Sequence, residues 1–353
     1  MEESDLLKSQ GFQVLKEINQ GAFARIFLVN NPELGIVAAK VFKNEDFNTE
    51  EWDTAGILSK DPTQICPFIN QSILAKQFES MTVIFMDYCN MRTLFDLIKT
   101  QKDIPIPVIR AMMKQILEGI RYIHSKGIIH RDIKGGNILL HSPPGSGKVI
   151  LKISGFDIVQ IQEHIGKEMM MDVAGTTPFM APEFHKEDDQ GQTLADEKVD
   201  IWSAGILFHQ LITHSFPFKS PKQVDITQFI EAKHLERPDL IKDNITWDLL
   251  TKMLSFDRKE RISAENALHH PFFTGEQAKA EILPSAVQLA KAALEALQKV
   301  DTTVTLFDAD ASFSVPLVEI QKIIGMVDPE ADMTLLQSKI SQPTDSDKFE
   351  QKK

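Results

Sequence analysis

Hydrophobic and polar positions alternate through the first forty residues. Phe12-Gln-Val-Leu, Ala24-Arg-Ile-Phe-Leu-Val and Gly35-Ile-Val-Ala-Ala-Lys-Val-Phe each read as strands, with Asn30-Asn-Pro-Glu-Leu-Gly as the turn between the last two. The pattern predicts an antiparallel meander. Residues 50 to 60 carry a helix pattern ended before Pro62, and Thr82-Val-Ile-Phe-Met reads as another buried strand. The period then lengthens: across 107 to 126, Ile109, Met112, Ile116, Ile120 and Ile123 fall on one helical stripe and open a helix-dominated region. Short strand-like stretches at 128 to 140 and 149 to 159 interrupt it. Beyond Pro271-Phe-Phe comes an Ala-rich amphipathic helix at 285 to 299, opened by the capping-box sequence Ser285-Ala-Val-Gln, and then a polar, acidic end. The expectation is an α+β chain, with a small β-rich lobe before a larger α-rich one, a helical extension and no internal repeat.

The 353 residues, 42% hydrophobic and 25% charged, are ordinary globular material. A net charge of -12 argues against a broad grip on nucleic acid or on an anionic membrane. No apolar run approaches the roughly 18 residues of a membrane span. Two cysteines, Cys66 and Cys89, and no apolar leader after Met1-Glu-Glu-Ser-Asp predict a soluble cytoplasmic protein without a disulfide framework. The expected partners are proteins and small ligands.

The strongest chemical signal is His130-Arg-Asp-Ile-Lys-Gly-Gly-Asn137. An aspartate, a lysine two residues on and an asparagine five on place an acceptor, a cation and an amide oxygen around one transferred phosphoryl group. Here the chain resembles the eukaryotic protein kinases. Further signatures stand in that family's order: Val37-Ala-Ala-Lys40, Ala181-Pro-Glu183, Asp200-Ile-Trp-Ser-Ala-Gly205 and Arg261. The resemblance implies a bilobal kinase fold over 11–273, with an N-lobe at 11–87, a C-lobe at 90–273 and an extension at 274–353. It also implies ATP and Mg²⁺ or Mn²⁺ as cofactors and protein substrates with Ser or Thr acceptors. Asp132 would take the hydroxyl proton, Lys134 would steady the γ-phosphate, and Asn137 would hold a metal ion. Lys134 and Thr176 both suit serine/threonine specificity.

Lys40 lies in an otherwise apolar strand, where an unpaired ammonium is expensive, and by resemblance it clamps the α- and β-phosphates. Ile18-Asn-Gln-Gly-Ala-Phe-Ala-Arg-Ile26 looks like the family's glycine-rich loop, with Asn19 and Ala24 where the first and third glycines usually stand and only Gly21 kept. Ile26, Ala38 and Leu139 match the positions that sandwich adenine. Asp87-Tyr-Cys89 matches the hinge whose backbone bonds the adenine edge, with Met86 as gatekeeper.

Two departures bear on activity. Lys152-Ile-Ser-Gly-Phe-Asp157 has Gly155-Phe-Asp157 where the family has Asp-Phe-Gly, and glycine has no group to offer a cation. Asp157, two residues on, points to the same side in an extended segment and is the candidate replacement; the bland alternative is a solvated loop acid. The second departure is the glutamate expected to pair with Lys40. Counting back from Ile57-Leu58 gives Thr54, while Glu50, Glu51 and Asp53 lie nearby, so this partner stays unassigned.

Between Phe156 and Gly175 there is no Ser, Thr or Tyr, which excludes hydroxyl phosphorylation inside that stretch. Asp172, four residues before Thr176, stands where many relatives carry a phosphothreonine and is expected to pair with Arg131 in its place. Glu183 and Arg261 match a structural ion pair, and Gly145-Ser-Gly-Lys148 reads as a hairpin turn rather than a phosphate loop. In the tail, residues 308–319 set oxygen groups at positions 1, 3, 5 and 12 of an EF-hand-like loop. Phe313 takes the place of its turn glycine and Pro316 stiffens it, so calcium is not expected. Two readings stand side by side: an active kinase with atypical metal coordination, favoured because every group facing the hydroxyl and γ-phosphate is present, and a pseudokinase acting as a nucleotide-binding or scaffolding module. A third treats the tail as a calcium or partner sensor acting on either.

Overall fold

The structure is a computed structural model that describes residues 2–21, 24–60, 66–186 and 188–325, together with 336, 338 and 340. Ala22 and Phe23 of the glycine-rich loop, residues 61–65, Glu187 and the end of the 274–353 extension lie outside the described residues. Helix α1 (Glu3–Ser9) leads into β1 (Gln13–Gln20), β2 (Ala24–Asn31) and β3 (Gly35–Lys43), followed by α2 (Thr49–Ser59), β4 (Ser72–Gln77) and β5 (Met81–Asp87). Among the described residues these strands form one five-stranded antiparallel sheet in the order β1-β2-β3-β5-β4. Leu6 and Leu7 of α1 pack with Phe12, Phe27, Val29, Val83 and Phe85 beneath it, where each fully buried large side chain contributes about 1.5–3 kcal/mol. Sequence periodicity passed over both α1, which is short, and β4, whose residues are only partly covered.

The second lobe is helical. It begins with α3 (Leu94–Ile98) and α4 (Ile106–Ser125), then the short strands β6 (Ile128–Ile129), β7 (Ile138–His141), β8 (Lys148–Ile153), β9 (Gln160–Ile161), β10 (Met169–Asp172) and β11 (Gln192–Ala195). Helices α5 (Lys198–Thr213), α6 (Gln223–Ala232), α7 (Asn244–Met253), α8 (Ala264–Leu268), α9 (Pro271–Thr274), α10 (Glu276–Ala280) and α11 (Pro284–Gln298) follow, and β12 (Val315–Pro316) and α12 (Leu317–Ile324) close the described chain. Ile109, Met112, Ile116, Ile120 and Ile123 of α4 are fully buried, so the stripe read from spacing lines the core. Helix α5 is buried on nearly every face and runs against α4.

The turn at Gly145-Ser-Gly-Lys148 joins β7 to β8, as its composition suggests. The capping box at Ser285 does not form: α11 starts one residue earlier at Pro284, so Ser285 falls inside the first turn and Leu283 is the cap. The EF-hand-like loop is occupied otherwise. Asp308 pairs with Lys148, Asp310 lies 3.5 Å from Lys114, and Val315–Pro316 pairs with β8 as a third strand. Both aspartates of the EF-hand-like spacing are thus engaged by lysines.

Candidate active site

The loop after β6 is drawn in by the buried Asp200 of α5. Its carboxylate accepts the backbone N–H of His130 (2.9 Å) and of Arg131 (2.8 Å) and contacts His124 Nε2 (2.8 Å). Burial alone would raise the Asp200 pKa, but these donors outweigh it and hold the group below the usual carboxylate range. Ser203 and Trp202 lie on the same helix, and the Trp202 ring is covered by the Arg261 guanidinium at 5.3 Å. Arg261 in turn makes a two-pronged pair with Glu183 at 2.8 and 2.9 Å, tying the end of the activation segment to the lobe.

On that base the chemistry-bearing side chains converge. Asp132 Oδ1 accepts from Thr176 Oγ1 at 2.6 Å, and Oδ2 accepts from Lys134 Nζ at 2.7 Å and from Asn137 Nδ2 at 2.9 Å. Lys134 also donates to Thr176 Oγ1 at 2.6 Å, which closes a triangle across the activation segment. Asn137 Nδ2 gives its other hydrogen to the Asp132 carbonyl at 2.8 Å. Both amide hydrogens are thus spent, and Oδ1 is what Asn137 has to offer a cation.

Across the cleft, Lys40 on β3 is 9% exposed at its side chain and bonds both oxygens of Glu51 at 2.9 Å. This settles the helix register in favour of Glu51. Asn48 caps α2 by accepting from Glu50, which sets Glu51 in the first turn facing the sheet, while Thr54 sits one turn further along the same buried face. Lys40 also pairs with Asp157, whose carboxylate is 50% exposed. Burial works against the Lys40 ammonium, yet the two carboxylates outweigh it and its pKa is raised; burial, reinforced by Asp157, pushes the enclosed Glu51 up as well. One lysine between two acids leaves a net negative charge, and the more buried acid carries the strain.

Gly155 explains itself in space. It adopts φ +81°, and a Cβ there would stand 2.8–2.9 Å from the Asn137 amide. A carboxylate at 155 therefore cannot be accommodated while Asn137 stays on Asp132.

The remaining residues divide. Ala38 faces Met86 in register on β3 and β5, Ile26 lies opposite Lys40 on β2, and Leu139 bridges to Thr93 below the hinge. Gly21 donates to the Ala24 carbonyl at 2.8 Å, and Asn19 accepts from its neighbour Gln20 at 2.9 Å. Asp87 takes a salt bridge from Lys152 at 2.7 Å, a link from hinge to β8 that spacing did not reveal, and burial pushes the Cys89 thiol up to about 12. Arg131 does not pair with the Asp172 carboxylate. Its guanidinium donates to the carbonyls of Ile158 (2.5 Å), Val159 (3.3 Å) and Asp172 (3.3 Å), while the Asp172 carboxylate accepts from Gln192 at 2.9 Å. The β10–β11 ribbon turns that carboxylate outward and leaves the main chain nearest to Arg131.

Residues 12–273 match the protein kinase domain family, and the chain belongs to it. Among its relatives are the serine/threonine-protein kinase chk-1 of Caenorhabditis briggsae, 26% identical over 280 residues, covering 77% of this chain and 55% of the relative, and cds1 of Schizosaccharomyces pombe, 29% identical over 277 residues, covering 76% and 57%. The human serine/threonine-protein kinase ULK1 is 28% identical over 265 residues, 72% of this chain and 24% of its own length. The chain thus spans from a quarter to just over half of these curated relatives. No helix among the described residues is long and apolar enough to cross a membrane.

Proposed function

We propose that this chain is an ATP-dependent serine/threonine protein kinase in which Asp157 supplies the metal-side carboxylate that position 155 lacks. The observation that carries the reading is the contact of Asp157 with Lys40, opposite a fully assembled Asp132–Lys134–Thr176 triangle. The oxygen donors fit a hard divalent cation: Asn137 Oδ1 and the half-exposed Asp157 carboxylate would hold it. Mg²⁺ usually needs only one or two protein ligands besides the phosphates. When bound, the ion supplies neutralisation of charge on the phosphate oxygens.

The protein's own residues do the rest. Asp132, steadied by three donors, accepts the proton of the substrate hydroxyl. Lys134 spans Asp132 and Thr176 and is placed to meet the γ-phosphate. Lys40, charged because of its two acids, holds the α- and β-phosphates, and Ile26, Ala38 and Leu139 enclose the adenine against the 87–89 hinge. Glu183 and Arg261 anchor the segment on which Thr176 sits.

The test is γ-phosphate transfer from labelled ATP to the protein and to a generic basic substrate, in Mg²⁺ and in Mn²⁺, with Asp132→Asn as comparison. Loss of about 10²–10⁴-fold in the variant is expected. Transfer equal to that of the variant, with nucleotide still bound, would instead establish the second reading, a nucleotide-binding pseudokinase, which the lack of a carboxylate at position 155 favours.

A further inference from the structure

The acidic tail segment is built into the kinase domain at one particular place. Val315 and Pro316 add a third strand to the β7–β8 hairpin, opposite Val149 and Lys148, and Leu317 donates to the Gly147 carbonyl at 2.8 Å. Gln115 of α4, almost fully buried, joins the three layers: its Nε2 donates to the Phe313 carbonyl at 2.6 Å, and its Oε1 accepts from Leu151 at 2.8 Å. Lys114 lies over the Phe313 ring at 4.2 Å, and Lys148 pairs with Asp308 where both side chains are largely covered.

Phe307 and Phe313 both pack on one aromatic ring of the catalytic core, that of Phe68. Phe313 stacks on it with ring centres 5.7 Å apart and an interplanar angle of 8°, and Phe307 meets it edge-on at 5.1 Å. Phe68 stands between α2, which carries Glu51, and β4. Its carbonyl accepts the Ile153 N–H at 2.8 Å, and Asn70 donates back to the Ile153 carbonyl at 2.8 Å. Ile153 is two residues before Gly155 and four before Asp157. The next residue, Ser154, donates to the Asn137 carbonyl at 2.8 Å. A continuous packed path therefore runs from the tail aromatics through Phe68 and Ile153 to the segment that bears Asp157.

We propose that residues 305–324 are a positioning strap for the 153–157 segment, with Phe313 and Phe307 acting through Phe68 to fix where Asp157 meets Lys40. The inference rests on the reading of Asp157 as the phosphate-side carboxylate, and it deepens that reading by assigning the regulation of its position to the tail. Asp310 and Asp308 of the strap bond Lys114 and Lys148 and keep the aromatics seated.

The test uses the full chain. Amide exchange is followed at 149–157 and, as internal reference, at β2, in wild type and in Phe313→Ala, alongside KM for ATP and kcat. The strap predicts exchange at 149–157 faster by about tenfold or more, β2 unchanged, and a raised KM for ATP. Unchanged exchange at 149–157 overturns the proposal. Should Phe313→Ala fail to fold, Lys148→Asp and Asp308→Lys decide: each alone must loosen 149–157 and the pair together must restore it, and a double variant as loose as the singles overturns the proposal. Because exchange is read without catalysis, a chain that transfers no phosphate but shows this pattern would refute the kinase reading and leave the strap standing.

Discussion

The catalytic loop and the segment at 153–157 lie side by side and are built on different principles. In the loop each working side chain is held by several others: Asp132 by Thr176, Lys134 and Asn137, and the loop backbone by Asp200. At 155–157 a single half-exposed carboxylate reaches one lysine, and the family's usual position for it is filled by a glycine at φ +81° whose missing Cβ leaves room for the Asn137 amide. Asp132 is thus fixed by three side-chain donors, whereas Asp157 is fixed by one lysine. His130 joins the two. Its ring packs edge-on against Phe156 at 5.0 Å, Nδ1 accepts from the Asp132 N–H, and Nε2 reaches the Ser154 carbonyl at 3.0 Å, so the neutral ring carries its proton on Nε2.

The largest expected effect is pH-driven. Burial lowers the His130 pKa, and burial pushes His141 down to about 4 from 6.5. In the unfolded chain both would protonate below about 6.5 while the folded rings stay neutral, so stability is full above that pH and declines as pH falls toward 4. For His141 the loss is on the order of 3 kcal/mol, and His141→Asn should flatten the lower part of a stability–pH curve measured by denaturant. A curve of unchanged shape would show that His141 is not enclosed.

Next comes Arg131→Ala. Losing three charge-assisted bonds to Ile158, Val159 and Asp172 should free the activation segment at a cost of about 2–3 kcal/mol and lower phosphate transfer sharply. Phosphatase treatment of the wild type should leave transfer as it was, since 156–175 has no hydroxyl to carry phosphate. Gly155→Ala should cost about 1–2 kcal/mol for the left-handed backbone, with more from contact with Asn137, seen as a lowered Tm. Smallest is Asp172→Ala: its exposed bond to Gln192 predicts a change within about 0.5 kcal/mol, and a loss as large as that of Arg131→Ala would restore the carboxylate to the role expected from sequence.

What could be read in advance follows the range of the interactions. Asp132, Lys134 and Asn137 lie within six residues, so their spacing reports their geometry directly. The partner of Lys40 was ambiguous because Glu50, Glu51 and Asp53 differ only by helix rotation, and rotation is decided by the cap at Asn48 and by packing of the buried face. Arg131 is expected from sequence to pair with the Asp172 carboxylate, but it binds carbonyls instead, which every residue possesses and no sequence pattern reveals. The two aspartates of the oxygen spacing at 308–319 pair with lysines of α4 and β8, which lie far away in sequence. Likewise Phe68, Phe307 and Phe313 are unrelated in sequence until the tail returns to β8.

In the proposed kinase, Asp157 does the work that position 155 cannot. The most direct measurement compares γ-phosphate transfer in Mg²⁺ by wild type, Asp157→Asn and the exchanged double variant Gly155→Asp with Asp157→Gly. The expected result is a loss of about 10²-fold or more in Asp157→Asn, as for a developing charge left unneutralised, and no recovery in the double variant, because a side chain at 155 must displace the Asn137 amide from Asp132. Transfer by the double variant above that of the wild type would contradict it, and would show that the metal-side carboxylate belongs at 155 after all.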